Sequence, residues 1–231
     1  MITGAGAATM STAWMPLCGQ SWFGAAAAFV GMWTVMMVAM MLPSLLPMLW
    51  RYRRSVARRR GLRLALLLAL VGGGYLLVWV LLGVAVFPLG AAIMTGTMRH
   101  PALARAVPAV IASIVLACGA LQLSDWKARH LARCREGGCQ QASRRSHASP
   151  DDPLRAWLHG LRLGLDCAQC CAGLTVVLLV TGIMDLPAML AVTAAVTLER
   201  LAPAGERVAR AIGLILVGDG LFLLARVGGL G

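Results

Sequence analysis

Three cysteines, Cys167, Cys170 and Cys171, lie within one short stretch immediately before a long apolar run. Their spacing of i, i+3 and i+4 places the three thiols on one face of a helix, within one turn of each other. Thiolates are soft ligands that suit Cu(I), Zn(II) or an iron–sulfur centre better than hard cations. We therefore expect these residues to be the primary ligands of a soft metal ion, at the mouth of a membrane helix that begins at Cys167.

A second pair of ligand-type side chains precedes this cluster. His130 and Cys134 are four residues apart, so they share one helical face. If the end of the preceding span folds back, an imidazole and a thiolate would complete the site. A single cysteine is more often a small apolar packing residue, which is how we interpret Cys18 and Cys118. The role of Cys139 stays open.

The first apolar segment carries a row of methionines. Met32, Met36 and Met40 repeat every four residues and form one thioether stripe, with Met37 and Met41 beside it. Thioethers select Cu(I) among physiological ions. Methionine is also an adaptable filler of apolar cores, so core packing is the favoured explanation of the stripe taken by itself. Together with the thiols, it suggests a second soft site or a path for the ion.

Two acids stand out at membrane depth because intramembrane carboxylates are costly and are usually paired or functional. Glu199 adjoins Arg200, and we expect a structural ion pair between them. Asp219 lies near the middle of the last apolar run and has no obvious local partner. It is the better candidate for a proton or cation role.

Composition identifies the class of protein. Of the 231 residues, 59% are hydrophobic and 13% are charged, and the mean hydropathy is +0.78, whereas soluble domains carry about 25% charged residues. The formal charge of +12 is concentrated in blocks between apolar runs, as in cytoplasmic loops of membrane proteins. The sequence therefore predicts an integral membrane protein in contact with the lipid bilayer, and no nucleic-acid partner.

The apolar runs predict an all-α, polytopic transmembrane bundle that forms a single membrane domain over residues 1–231. An amphipathic helix at the interface is expected just before the fourth span, and the turn between the fourth and fifth spans is so short that the fifth need not cross completely. The basic loops, including the long one at 124–162, would be cytoplasmic, with both termini outside. The six predicted spans cover about 22–49, 64–87, 106–123, 167–184, 188–201 and 208–225.

Several functions find no support in the sequence. There is no serine, histidine and acid set of the hydrolase type, and no phosphate-binding glycine loop. We therefore favour a protein without enzymatic activity. Two alternatives stay open: a thiol–disulfide oxidoreductase that uses Cys167 and Cys170 as its redox pair, and a structural membrane subunit whose cysteines only pack.

The combined motifs resemble a bacterial family of polytopic inner-membrane proteins that are predicted to bind metal. The resemblance covers almost the whole chain and implies metal handling in the bacterial inner membrane, with a metal donor or acceptor protein as partner. Cu(I) is the favoured ion and Zn(II) the second choice. This chain differs from the family pattern at two places that leave metal ligation possible. His130 stands where the family tends to have cysteine, and Ala172 stands where it tends to have tryptophan. The motifs are Met32 to Ser44, Gly74 to Trp79, Gln122-Leu123 with Lys127, Cys134-Arg135, Cys167 to Cys171, Gly182 to Asp185, and Glu199-Arg200.

Overall fold

The computed structural model describes residues 21–55, 61–136, 152–182, 185–202 and 204–229. Within these ranges the chain is all-α, with seven helices and no strand, as the sequence predicts. The helices are α1 (Trp22–Ser55), α2 (Leu62–Arg99), α3 (Pro101–Leu123), α4 (Asp125–Glu136), α5 (Pro153–Thr181), α6 (Leu186–Leu201) and α7 (Gly205–Gly228).

Five helices, α1, α2, α3, α5 and α7, are long and apolar enough to cross a membrane. The predicted fifth span corresponds to α6, which has 16 residues. At a rise of about 1.5 Å per residue, α6 is about 24 Å long, and a hydrocarbon core is about 30 Å thick. Helix α6 is therefore shorter than a hydrocarbon core is thick, in keeping with the expectation that the fifth span need not cross completely.

The second span is longer than predicted. We expected it to end at Phe87, with Pro88 opening an external connection, but α2 continues through Pro88 to Arg99. Only His100 separates α2 from α3, and it serves as C-cap of one helix and N-cap of the other. A proline inside a membrane helix is tolerated where the surroundings compensate for the lost hydrogen bond, and the apolar residues after Pro88 extend the helix.

The segment predicted to form an interfacial helix before the fourth span is helical, and it is continuous with that span. Residues 153–181 form one helix, α5, which begins where the Asp152 carboxylate accepts a hydrogen bond from the Leu154 backbone N–H at 3.1 Å. Ala156 and Gly160 are buried within the bundle. The polar residues that suggested an interfacial helix, such as Arg155, lie on the exposed side of α5.

The core of the bundle is formed by α1, α2 and α5, with Val192 and Val196 of α6. Helices α2 and α5 run parallel and very close, because small residues face each other: a Cβ added to Gly74 would lie 2.6 Å from the Trp157 carbonyl oxygen, and one on Gly164 would lie 2.9 Å from the Tyr75 carbonyl oxygen. The glycines of α2 therefore permit close helix approach, one of the two roles the sequence allowed.

Helix α1 packs across this pair through a large aromatic residue. Trp33 is buried, and its indole N–H donates to the Trp79 carbonyl oxygen at 2.9 Å. Gly83 leaves the space for the ring, since a Cβ there would lie 2.5 Å from Trp33. On the other side of the molecule, α3 packs most extensively on α7.

Candidate metal centre

The three predicted thiols lie in the interior of the bundle. Cys167, Cys170 and Cys171 are 0%, 2% and 1% exposed, and none forms a disulfide. The shared helical face is as the spacing indicates. Their position differs from the prediction, because α5 begins at Pro153. The cluster is therefore enclosed in the middle of a helix, and it does not lie at an open mouth.

Sulfur atoms from two helices meet at Cys167. Its thiol lies 3.8 Å from the Met41 thioether sulfur on α1. On α5 itself, Cys171 lies one turn beyond Cys167 and belongs to the same buried cluster as Cys167 and Met41. Three sulfur-bearing residues, Met41, Cys167 and Cys171, thus share one buried cluster, whereas Cys170 packs with Leu131 and Ala209 in another.

A tyrosine from α2 completes the surroundings of Cys167. The Tyr75 hydroxyl and the Cys167 thiol are hydrogen-bonded at 2.9 Å, and the Tyr75 side chain is fully buried. This contact depends on the close approach of α2 and α5, since Tyr75 directly follows Gly74 and its carbonyl oxygen faces Gly164. A hydrogen bond of this kind orients a ligand without contributing a metal bond.

The methionine stripe of α1 faces this core, with a shift from the predicted register. Met36 and Met40 are buried but Met32 is only partly so, while Met37 and Met41, placed beside the stripe from the sequence, are each 1% exposed. Met41 is the methionine whose sulfur is in contact with a cysteine. Aromatic rings close the row at its N-terminal end, through contacts of Phe29 with Trp33 and with Phe87.

Positive charge reaches the thiols from α6. One terminal nitrogen of the Arg200 guanidinium lies 3.5 Å from the Cys171 sulfur and donates to the Cys167 carbonyl oxygen at 3.4 Å. Arg200 is 8% exposed. The ion pair predicted between Glu199 and Arg200 is wrong, because adjacent helical residues point about 100° apart and cannot face each other.

Glu199 is paired instead with two residues that lie far away in the sequence. Its carboxylate forms a 2.7 Å ion pair with Lys127 of α4 and accepts a hydrogen bond from the Gln122 amide of α3. The Lys127 ammonium also donates to the Cys170 carbonyl oxygen at 2.6 Å. All three polar side chains are buried. The network therefore ties α3, α4 and α6 to the cysteine turn of α5.

The second predicted ligand pair is not brought to the thiols by any described contact. His130 is partly buried and its ring packs on Trp126, with centroids 4.3 Å apart. The α4 residue that packs against Cys170 is Leu131. The side chain of Cys134 lies outside the described residues, as do Cys18 and Cys139.

The remaining acid lies apart from this centre. Asp219 is exposed on α7, whereas the thiols are enclosed, so the structure does not place it in the cluster. Among the residues that the structure describes, no group of three or more His, Cys, Asp or Glu side chains is arranged to hold a metal ion. What the core offers instead is a thiol and thioether combination, and thioethers are ligands for Cu(I) in particular.

Three contributors to this arrangement were not predicted from the sequence: Met41 as the contacting thioether, Tyr75 and Arg200. Each reaches the cysteines from a different helix, so no spacing within one segment could reveal it. The available signal was weak: a buried lysine, arginine and glutamate in an apolar chain predict a polar network, but not its partners.

A family model described as PpoB2, copper chaperone, matches residues 30–223. The chain belongs to this copper chaperone family. The match covers α1 from its ninth residue and extends into α7, so it includes Met41, the three cysteines of α5 and the polar network around them. Membership supports the sequence-based assignment to a metal-related family. No curated protein and no solved structure matches the chain at a significant level.

Proposed function

We propose that this protein is a membrane-embedded copper chaperone that holds Cu(I) between Cys167 of α5 and Met41 of α1. The observation that carries the proposal is the 3.8 Å separation of their two sulfur atoms inside a closed apolar core. Two metal–sulfur bonds of about 2.3 Å each span up to about 4.6 Å. One ion can therefore bridge this pair with little movement of either helix.

The donor set favours Cu(I) over Zn(II). Structural zinc sites collect four ligands from cysteine, histidine and carboxylates, and the described residues contain no group of even three such side chains arranged for a metal ion. Cu(I) is the ion selected by soft thiolate and thioether ligands. Cys171 is a further sulfur donor for the same ion, since it belongs to the same buried cluster as Cys167 and Met41.

Binding of the ion would be organised by residues that do not touch it. Tyr75 fixes the orientation of the Cys167 thiol through their hydrogen bond. Lys127 anchors the backbone at Cys170. The site is thus organised before the ion binds, by these contacts from α2 and α4 together with Met41 of α1.

A chaperone must also release its ion to a partner protein. Helix α1 contains Pro43 and Pro47 just beyond Met41, and each proline removes one backbone hydrogen bond from the helix. Helix α1 is therefore weakest next to the thioether ligand. Movement of this segment would expose the copper to a metal donor or acceptor protein, with the bundle embedded in the bacterial inner membrane and its basic loops in the cytoplasm.

The two rival functions fit the geometry less well. Thiol–disulfide exchange requires a partner thiolate to reach the attacked sulfur, and the Cys167 and Cys170 thiols are enclosed. A purely structural role would account for buried cysteines, but it gives no reason for a thiol to face a thioether and a hydroxyl in the same core.

The test is the copper content of protein purified in detergent after anaerobic loading with Cu(I) and removal of excess ion. We expect about one Cu(I) per chain in the wild type and less than one tenth of that in Cys167→Ser. In Met41→Leu, where the Cys167 thiol still offers a ligand, we expect less than half of the wild-type copper. The matched controls are Cys118→Ser, a buried cysteine of α3 outside the cluster, and Met98→Leu, an exposed methionine of α2. Copper retained in Cys167→Ser and Met41→Leu at the level of the controls would disprove the site.

A further inference from the structure

Arg200 occupies an unusual position for a residue beside a metal centre. Metal ions are positively charged, yet a guanidinium nitrogen lies 3.5 Å from the Cys171 sulfur and contacts the backbone at Cys167. Arginine stays protonated in proteins, and burial strengthens its field because the surroundings screen it weakly. Any ion held by this cluster therefore feels a fixed positive charge at close range.

The cost of that field depends on the charge of the ion. Coulomb repulsion is proportional to the product of the two charges, so a divalent ion at the same position is repelled twice as strongly as a monovalent one. The buried lysine nearby does not alter this difference, since Lys127 is already paired with Glu199. Arg200 thus discriminates by charge, whereas the sulfur ligands discriminate by softness.

We propose that Arg200 is a specificity-determining residue that makes the thiol cluster selective for monovalent soft ions over divalent ones. The proposal deepens the proposed copper function and rests on it. Cu(I) and Zn(II) both bind thiolates, and affinity for ligands of this type does not by itself exclude zinc. A fixed cation beside the sulfurs supplies the missing discrimination.

Arg200 also stabilises thiolates, and this second effect must be separated from the first. Loss of the guanidinium weakens the binding of every ion that requires the same deprotonated sulfurs. The absolute affinities for Cu(I) and for Zn(II) therefore both fall. The ratio of the two affinities removes this shared contribution. The ratio therefore reports the charge discrimination alone.

The experiment compares wild type, Arg200→Met and Arg200→Lys, each titrated with Cu(I) and with Zn(II) against a competing chelator for each ion. Arg200→Met removes the charge while retaining much of the apolar stem, and Arg200→Lys is the matched control that keeps the charge. We expect the Cu(I)-to-Zn(II) affinity ratio to fall by about tenfold or more in Arg200→Met, given a pair of charges at this range in weakly screening surroundings, and by less than threefold in Arg200→Lys. An unchanged ratio in Arg200→Met would overturn the proposal.

A measurement on the unmodified protein covers the case in which Arg200→Met does not fold. Ag(I) and Cd(II) are both soft ions and differ in charge, so the wild type should retain Ag(I) through desalting and release Cd(II). Equal retention of the two ions would contradict selection by charge. If the wild type retains neither Cu(I) nor Ag(I), the proposed copper site itself has failed, and the two failures are thereby distinguished.

Discussion

Two pairs of helices in this protein use the same packing device for different ends. In α2 and α5, glycines let the backbones approach until an added Cβ would collide, as at Gly160 against the Val71 carbonyl oxygen. In α3 and α7, Gly119 and Gly220 do the same, with an added Cβ 2.8 Å from the Val217 nitrogen and 2.9 Å from the Leu116 Cα. Both pairs follow the small-residue rule for membrane helices.

The difference lies in the residues next to the glycines. Beside the α2 and α5 contact stand Tyr75 and Cys167, which are hydrogen-bonded as a result. Beside the α3 and α7 contact stand apolar residues such as Leu116 and Val217. Close approach of two helices by itself therefore gives only packing. It can form a binding site where it also brings together a ligand residue and the residue that orients it.

The polar network joins the two pairs. Gln122 belongs to α3, Glu199 to α6 and Lys127 to α4, and Lys127 reaches the Cys170 carbonyl oxygen of α5. The position of the cysteine turn thus depends on an ion pair that lies between the two glycine contacts.

Breaking this connection should have the largest effect on stability. Lys127→Met leaves the Glu199 carboxylate buried without its cation, which costs about 3–5 kcal/mol for a buried ion pair. We expect a large loss of thermal stability in detergent, followed by fluorescence-detected gel filtration. The double variant Lys127→Met/Glu199→Gln removes the charge that was left alone and should recover most of the loss; no recovery would show that the lysine acts mainly in some other way.

The α2 and α5 contact is tested by Gly160→Ala. The new Cβ meets the Val71 backbone, which cannot give way as a flexible side chain could, so we expect a loss at the upper end of the 1–3 kcal/mol typical of overpacking, about 3 kcal/mol. Because the helices separate, copper per folded chain should fall as well. The control is Gly72→Ala, whose Cβ would enter open space on the same α2 segment; equal copper content in the two variants would contradict the account.

A substitution at the α3 and α7 contact should lower stability without lowering copper content. Gly220→Ala places a Cβ 2.9 Å from the Leu116 backbone and should lower stability by about 1–2 kcal/mol. Copper per folded chain should match the wild type, because neither helix contributes a sulfur to the proposed site. A specific loss of copper in this variant would mean that the two helix pairs are not separable in function.

The smallest change in stability is expected for Tyr75→Phe. This substitution removes one buried hydrogen bond from the Cys167 thiol at a cost of about 1 kcal/mol, while the ring still fills its space. Orienting contacts of this type change metal affinity by about 10- to 100-fold when lost, so Cu(I) affinity should fall although copper can still be loaded. A chelator competition titration measures the change. An unaltered Cu(I) affinity would show that Tyr75 does not orient a copper ligand.

Much of the architecture follows from sequence, and the site follows in part. Apolar runs correctly indicated an all-α chain, and the three cysteines lie on one helix and are buried, as their spacing indicated. The start of α5 was mispredicted because Arg162 and Asp166 interrupt the apolar pattern. Arg162 is exposed and Asp166 is partly exposed on a helix whose other face is buried. Which face is buried depends on how the helices pack, and the local sequence does not determine it. The partners Met41 and Arg200 could not be derived, since they depend on which helices adjoin.

The account's central claim is that Cu(I) is held by sulfur from two helices. X-ray absorption at the copper edge of the Cu(I)-loaded wild type tests this claim most directly, with Met41→Leu as the comparison. We predict a first shell made of sulfur alone at about 2.3 Å, with one scatterer lost in Met41→Leu. A first shell dominated by nitrogen or oxygen, or a spectrum unchanged by Met41→Leu, would contradict it.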